Sequence, residues 1–245
     1  MRGVALGICP DATLVDITHD IAPQDIAGGA LELAAAVKYF PAETIFLAVV
    51  DPGVGSRRRG IAAEAGPYMF VAPDNGLLTM VFRQFAPARI VELTERAYAL
   101  PVVSRTFEGR DRFAPAAAWL AKGIPLTSLG STVTDWQTID LPAPRLEDAQ
   151  LAGVVLRIDR FGNLVTNIDR QTFEHFTSRA AARIVVADRQ LTTVVSTYAD
   201  VDPGALCALF GSTDHLEIAI AGGSAAERLG LTRGAPVVVR FDASA

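Results

Sequence analysis

The first half of the chain alternates short apolar runs with alanine-rich segments, and this alternation limits its fold more than any other feature. Residues 44–50 and 68–72 are apolar runs of strand length bounded by turn residues, as in strands that are covered on both faces. Residues 23–41 place apolar side chains at three- and four-residue steps between two prolines, which predicts an amphipathic helix. Residues 111–122 predict a second helix. We therefore expect an α/β fold with a mainly parallel sheet and covering helices.

The second half has a different pattern. The polar stretch around Pro142 and Pro144 is typical of a linker, and it separates two predicted domains, 1–143 and 150–245. A single helix is predicted there, at 223–230. Short β-rich runs separated by Gly, Asp and Ser indicate a smaller β-barrel or sandwich; the runs are 151–158, 163–168, 182–187, 191–196, 205–210, 216–220 and 236–241.

Charge and cysteine content exclude several classes of protein. The formal net charge of −5 argues against a nucleic acid or an anionic membrane as the main partner, because both require a basic surface. Cys9 and Cys207 lie far apart without a CxxC motif, and the three histidines lack metal-ligand spacing. We predict no metal site and no disulfide, which fits a reducing cytoplasm. No apolar run approaches the roughly 20 residues that span a bilayer.

One apolar run ends in a group of charged residues. The sequence VVDPGVGSRRRG, residues 49–60, places Asp51 at the end of the run and Arg57–Arg59 just after a glycine-containing turn. A buried strand explains the run but not these charges. In open α/β sheets, ligands bind at the carboxyl ends of the strands, so this loop is the first candidate site.

Each of four further segments has a structural interpretation that competes with a role in a functional site. The Asp74–Gly76 segment follows a predicted strand and is typical of a turn and helix cap. Asp111 fits a helix N-cap with Arg110 as ion-pair partner, and it fits a site role equally well. Residues 158–168 fit a hairpin turn with a satisfied Asp. Residues 210–230 run from strand through a double glycine to a helix, either as a structural loop or with free N–H groups for a ligand.

The order of these motifs resembles one family, the S-adenosyl-L-methionine hydroxide adenosyltransferases, whose relatives include fluorinases and chlorinases. The resemblance implies an N-terminal α/β domain and a smaller C-terminal β-barrel, assembled as a homotrimer with its sites at the subunit interfaces. The segments that carry it span nearly the whole chain: MRGV at the start, residues 15–33, 49–59, 71–79, 106–118, 159–168 and 216–231.

The resemblance also implies a reaction. Family members hydrolyse S-adenosyl-L-methionine to adenosine and L-methionine by attack of a water or hydroxide on C5′, without a cofactor. Because the sulfonium is already a good leaving group, the enzyme mainly aligns the water and assists its deprotonation. The implied catalytic residues are Asp51 as hydrogen-bond acceptor, Arg58 as the group that stabilises the nucleophile, and Glu108 as a base or water orienter.

Substrate-binding positions are implied in the second domain. Asp159 matches the acid that pairs with the methionine ammonium group, and Asn163 matches the amide that reads the adenine edge. Ser212 matches a contact to the methionine end, and the backbone of Ala225 a contact to the adenine. The set is completed by an apolar wall and by an acid without an assigned role: Phe161 and Glu217.

The chain departs from the family pattern at two places. The family motif has a histidine at the position of Glu108, and a carboxylate beside Asp51 brings two like charges together, which raises the pKa of one of them. Family members also carry about one more strand and turn before the MRGV-like segment, including an Asp that binds the ribose. We therefore expect a first domain that lacks its first strand, and a start assigned too late.

Three other functions compete with hydrolysis. The first is transfer of a halide ion, but the halogenating relatives lack the acid seen at Asp51, and a carboxylate there would repel a halide ion. A protein that binds S-adenosyl-L-methionine or adenosine without turnover is the alternative that Glu108 and the missing ribose Asp motivate. A metal-dependent hydrolase using Asp51, Asp74 and Asp111 is the third.

Overall fold

The computed structural model describes three stretches of the chain: residues 1–147, 149–178 and 180–241. Residue 148 of the predicted linker and residues 179 and 242–245 of the predicted second domain lie outside the described residues. The chain divides into two compact units, Met1–Asp140 and Leu141–Ala245, each with its own hydrophobic core. Within the described stretches, no helix is long and apolar enough to cross a bilayer.

The first unit combines helices with a small sheet. Its described α-helices are α1 (Arg2–Ile8), α2 (Ile26–Val37), α3 (Thr79–Gln84) and α4 (Ala114–Ala121). Its described strands are β1 (Ile45–Leu47), β2 (Gly60–Ala65), β3 (Tyr68–Pro73) and β4 (Pro87–Glu92). Both predicted strands and both predicted helices of this half are present; β1, α2 and α4 are shorter than predicted and β3 is slightly longer, and the α/β class is confirmed.

The sheet of the first unit is mixed, in the order β1-β3-β2-β4. β1 pairs with β3 in parallel, whereas β2 pairs antiparallel with both β3 and β4. The prediction of a mainly parallel sheet is therefore wrong for these described pairs. The reason lies in the two-residue connection Gly66–Pro67 between β2 and β3, since parallel neighbours need a crossover of a dozen or more residues.

Small residues explain why β2 was not predicted. Half of the strand is alanine, a residue that favours helices in isolation. It lies between two strands and is buried at every position except Glu64, so packing decides its conformation. Beside it, the rings of Phe46 and Phe70 stack with centroids 5.2 Å apart; truncating the fully buried Phe70 to alanine would cost about 3–5 kcal/mol.

Helix α2 shows how local sequence sets a boundary. Its N-cap is Asp25, whose carboxylate accepts the Gly28 N–H at 2.9 Å, as capping requires. The apolar stripe predicted from the three- and four-residue spacing faces the core through Leu33 and Val37. The helix thus begins after Pro23 and ends before Pro41, the prolines at the two ends of the predicted segment.

The second unit is a nine-stranded, nearly closed, barrel-like sheet in its described part. The strands are β5 (Arg145–Glu147), β6 (Gln150–Ile158), β7 (Leu164–Asp169), β8 (Ala182–Val186), β9 (Arg189–Leu191), β10 (Val194–Val195), β11 (Leu206–Phe210), β12 (His215–Ile220) and β13 (Pro236–Phe241). Their order is β10-β11-β12-β7-β6-β13-β8-β9, with β5 beside β6. Each predicted β-rich run overlaps at least one of these strands.

Two α-helices lie between the described strands of this unit. Helix α6 (Ala225–Leu229) confirms the predicted helix near 223–230; Ser224 caps its start, and Gly230 ends it with a left-handed φ of +61°. Helix α5 (Arg170–Thr177) was not predicted. Its N-cap Asp169 accepts the Thr172 N–H at 2.8 Å.

Candidate functional site

Asp51 and Arg58 lie in the loop that follows β1. The loop turns at Gly55, whose φ is +77° and where a Cβ atom would lie 2.3 Å from the carbonyl oxygen of Arg105. Glycine at this position lets the loop pack directly against the segment that leads to Glu108. There, Arg58 Nη2 donates to Asp51 Oδ2 at 2.5 Å and to Glu108 Oε2 at 2.8 Å.

Glu108 precedes a π-helical turn, Gly109–Phe113, that leads into α4. In this turn the Ala114 N–H bonds to a carbonyl five residues back, so side chains four and five residues apart share one side. Arg112 consequently lies beside Glu108, with its Nη1 atom 3.3 Å from Oε1. Each carboxylate oxygen of Glu108 therefore faces an arginine.

Phe113 packs against Arg58, with the ring centroid 5.2 Å from the guanidinium carbon. This packing depends on Gly60, where a Cβ atom would lie 2.4 Å from the Phe113 ring. The cluster is well buried: the side chains of Arg58, Asp51 and Glu108 are 7%, 6% and 12% exposed. An aromatic face beside a partly desolvated guanidinium stabilises its charge.

Burial and neighbouring charges act together on the pKa of Asp51. Burial raises it most, the Arg58 guanidinium opposes this, and the negative charge of Glu108 raises it further; the net result is a pKa above the usual range. The Gly53 N–H lowers it slightly, but no hydrogen bond reaches Asp51 Oδ1 from the described residues. One oxygen of Asp51 is thus held by Arg58, and the other is a buried acceptor.

The other two acids of the metal hypothesis lie in separate ion pairs. Asp74 binds Arg59, whose Nε atom is 2.9 Å from Oδ2. Asp111 forms the ion pair predicted with Arg110, but it does not cap α4, whose N-cap residue is Phe113. Among the described residues, no three His, Cys, Asp or Glu side chains form a group that could hold a metal ion.

Asp159 organises the turn between β6 and β7 in the second unit. Its Oδ1 accepts the backbone N–H groups of Phe161 and Asn163, both at 2.9 Å, and its Oδ2 accepts the Asn163 side-chain amide at 2.9 Å. Gly162 adopts a φ of +83°, and a Cβ atom there would lie 2.1 Å from Ser224 Oγ. The turn is therefore held firmly, with Asn163 buried.

A chain of hydrogen bonds continues from this turn. The Asn163 amide lies 3.4 Å from the Tyr198 hydroxyl, which donates to Glu217 Oε2 at 3.2 Å. Burial raises the pKa of Glu217, and the Tyr198 donor opposes that rise. Burial and the Glu217 charge raise the pKa of Tyr198 to about 12, so its hydroxyl keeps its proton at neutral pH.

The remaining predicted substrate residues lie around the same turn and strand ends. Phe161 is 77% exposed, and Ser212 is exposed in the turn between β11 and β12. Ala225 has a fully buried side chain, which leaves only its backbone for the predicted contact. The following residue, Ala226, donates its N–H to the Gly162 carbonyl at 2.9 Å and so links α6 to the turn.

In the first unit, Arg58 contacts both Asp51 and Glu108. In the second unit, Asp159 and Asn163 are linked to Glu217 through Tyr198. Two neighbours were missed by the sequence analysis, Arg112 and Tyr198. Arg112 carried a signal, because it follows Glu108 by four residues in a helical segment; nothing near Tyr198 marked it.

The second unit also has a groove of about 440 Å³, lined mainly by small and apolar side chains such as Ile184, Leu191 and Val194. Among the residues that line it in the described part of the chain, none belongs to the predicted substrate set. The groove is therefore separate from the Asp159 turn.

Comparison with known proteins identifies relatives over most of the chain. The family model for the S-adenosyl-L-methionine hydroxide adenosyltransferase N-terminal domain matches residues 1–130, and the model for the C-terminal domain matches residues 153–238. The (R)-S-adenosyl-L-methionine hydrolase of Salinispora tropica is 41% identical over 236 residues, which are 95% of this chain and 88% of the relative. A fluorinase of an Actinoplanes species is 30% identical over 71% of this chain and 67% of its own length.

A solved structure shares the fold. The crystal structure of an uncharacterized conserved protein from Thermotoga maritima superposes with a TM-score of 0.91 at 34% identity, covering 98% of this chain and 93% of the other. At this identity and coverage, the two chains have the same architecture.

Proposed function

The chain belongs to the S-adenosyl-L-methionine hydroxide adenosyltransferase family, and we propose on this basis that it is an enzyme that hydrolyses S-adenosyl-L-methionine to adenosine and L-methionine. The 41% identity to the Salinispora tropica hydrolase over 95% of the chain supports the reaction. The observation that carries the mechanism is the Asp51 carboxylate, which is buried with one oxygen on Arg58 and the other without a donor among the described residues.

In this proposal, Asp51 Oδ1 accepts a hydrogen bond from the attacking water and Arg58 stabilises the negative charge that develops on it. Burial excludes bulk water from the pair and strengthens both interactions. Glu108 lies across Arg58 from Asp51, where it orients the water or receives its proton. A carboxylate can serve both purposes at the position where the family motif has histidine.

The reaction balances without a cofactor. The water oxygen forms a bond to C5′ of the ribose, the C5′–S bond breaks, and its electron pair returns to sulfur. The positively charged sulfonium becomes the neutral thioether of methionine. The proton of the water passes to a carboxylate of the cluster and from there to solvent, so the site returns to its starting charge.

The substrate-binding roles belong to the second unit. We assign Asp159 to the methionine ammonium group and Asn163 to the adenine edge. Ser212, Phe161 and the backbone of Ala225 complete the binding set, together with Glu217. An assembly of three copies with sites at the subunit interfaces, and a cytoplasmic location, are also part of the proposal and rest on the family resemblance.

Two alternatives make different predictions. The relationship to a fluorinase raises halide transfer, but the buried charge of Asp51 opposes a halide ion at the same position. Binding without turnover is favoured by one specific observation, the presence of Glu108 where the family motif has histidine. Binding of S-adenosyl-L-methionine with no product would support that alternative.

The test is chromatography of S-adenosyl-L-methionine after incubation with the protein, with and without added chloride. We expect adenosine and methionine in equal amounts, unaffected by chloride. Asp51→Asn should reduce the rate at least about 100-fold, within the range of a lost general base. Asp188→Asn, a matched change at an acid that is 76% exposed, should leave the rate unchanged. A halogenated nucleoside, or equal rates for the two variants, would reject the proposal.

A further inference from the structure

Arg112 makes two contacts that tie Glu108 to the end of the sheet. Its Nη1 atom lies 3.3 Å from Glu108 Oε1, and its Nη2 atom donates to the Leu93 carbonyl. Leu93 is itself fixed, because its N–H donates to the Gly60 carbonyl at 2.8 Å. One planar guanidinium, which presents its donors in a rigid fork, therefore joins a backbone position to a carboxylate of the candidate site.

We propose that Arg112 is a positioning residue that holds Glu108 in place and balances its charge, so that Arg58 remains available to Asp51. This inference rests on the proposed function, since it gives Glu108 and Asp51 their catalytic setting. Arg112 itself reaches the reacting atoms only through Glu108.

The charge balance of the cluster supports this role. Asp51 and Glu108 carry two negative charges, and Arg58 and Arg112 carry two positive charges. Without Arg112, a single guanidinium would serve two carboxylates with side chains 6% and 12% exposed. Uncompensated charge at such burial is strongly unfavourable, so Arg58 would shift toward Glu108 or one carboxyl would take up a proton.

The π-helical turn explains why the second arginine is in reach. Glu108 and Arg112 are four residues apart, and the turn also directs Phe113 toward Arg58. Arg112 is 24% exposed at its side chain, so its charge is partly solvated and costs less to bury than that of Arg58. The turn thus places one arginine at the edge of the cluster and the aromatic ring at its centre.

A pH profile distinguishes positioning from mere structural support. Among the described residues, Arg58 and Glu108 are the charged groups that face Asp51, and Arg58 and Arg112 those that face Glu108. Loss of Arg112 increases the net negative charge near Asp51, which raises the Asp51 pKa further. Since Asp51 must be ionised to act, the acid limb of the pH–activity profile should lie at a higher pH in a variant without Arg112 than in the wild type. The variant should recover activity as the pH rises.

The experiment compares Arg112→Met, Arg112→Lys and the control Arg89→Met, which removes the same charge from an exposed arginine on β4. We expect Arg112→Met to lower kcat about 10-fold at neutral pH and to move the acid limb up by about half to one pH unit. Arg112→Lys should recover part of the loss, and Arg89→Met should match the wild type. A loss in Arg112→Met that is equal at every pH would overturn the proposal.

A double-mutant cycle with Glu108→Gln gives a second readout that needs no turnover. If Arg112 acts through Glu108, Arg112→Met lowers the urea midpoint in the wild type and changes it much less in the Glu108→Gln background. Equal shifts in both backgrounds would contradict the coupling. If the wild type shows no hydrolysis but Arg112 and Glu108 are still coupled in the urea midpoint, the proposed function fails and the Arg112–Glu108 pairing stands. The experiment therefore separates a failure of the proposed function from a failure of this inference.

Discussion

The two units hold their buried polar groups by different means. In the first, Asp51 and Glu108 are joined by arginines into a cluster of ion pairs. In the second, Asp159 and Glu217 are joined by neutral donors, the Asn163 amide and the Tyr198 hydroxyl. Both clusters contain two carboxylates, and in the first cluster each of them has a guanidinium in direct contact.

This difference suits the two proposed tasks. An ion-paired cluster holds charges at fixed positions and makes the removal of any one of them costly, as activation of a water requires. A cluster linked by neutral donors keeps the negative charge of its carboxylates, and the positive charge of Arg157 opposes part of the rise in the Glu217 pKa. Such a cluster attracts a cationic ligand, and S-adenosyl-L-methionine carries both an ammonium and a sulfonium.

The largest effect is expected from Arg58, on which the charged cluster depends. Arg58→Met leaves two buried carboxylates to repel each other and removes the donor for the nucleophile, so kcat should fall about 100- to 1,000-fold. The fall in kcat should be smaller for Arg58→Lys, which keeps the positive charge. Circular dichroism checks that both variants fold. A reduction below 10-fold would show that the ion pairs have no catalytic role.

The cluster of Asp159 and Glu217 in the second unit is expected to act on substrate binding instead. Asp159→Asn removes the charge assigned to the ammonium group, and KM should rise about 10- to 100-fold, the loss expected for a hydrogen bond to a charged group, while kcat changes little. Steady-state kinetics measures both values. Asp202→Asn, at an exposed acid of the same unit, is the control. A fall in kcat with unchanged KM would reverse the roles of the two clusters.

Glu108 tests the electrostatics of the first cluster. Its negative charge raises the Asp51 pKa, so Glu108→Gln should lower that pKa and move the acid limb of kcat/KM down by about half to one pH unit. This shift is opposite in sign to that of Arg112→Met. An acid limb that moves up, or stays in place, would show that Glu108 does not act on Asp51 through charge.

The smallest effect concerns the stability of the second unit. The pKa of Glu217 is raised by burial, so the folded protein binds its proton at a higher pH than the unfolded chain does. Ionised Glu217 therefore disfavours the folded state at neutral pH, and this penalty disappears as the pH falls toward its usual pKa. Glu217→Gln should be more stable than wild type at pH 7, and the difference should vanish at a pH near the usual pKa of a glutamate. Urea unfolding at both pH values measures it; a pH-independent difference would contradict the effect.

The parts of the fold that the sequence predicted are those with strong local patterns. The spacing of apolar residues predicted α2, and the punctuation by Gly, Asp and Ser predicted the β-rich runs of the second half. The alanine-rich β2 and the antiparallel pairs beside it were not predicted, because packing between two strands overrides the helical preference of alanine. The parallel sheet failed as a prediction since the Gly66–Pro67 connection was not recognised as a turn.

Local sequence patterns also decide which residues of the candidate site could be predicted. Asp51, Arg58 and Glu108 were found because each belongs to a motif, and their contact was implied by the resemblance rather than by spacing. Arg112 and Tyr198 were missed because their roles depend on the π-helical turn and on a contact 35 residues distant along the chain. Long-range contacts of this kind have no signature in a single sequence.

The origin of the oxygen in adenosine tests the central claim most directly. Hydrolysis of S-adenosyl-L-methionine in water enriched in ¹⁸O, followed by mass spectrometry, locates the carbon that the water attacks. Attack at C5′ predicts adenosine labelled at its 5′-hydroxyl and unlabelled methionine. Labelled homoserine with 5′-methylthioadenosine, or the absence of any product, would contradict the account.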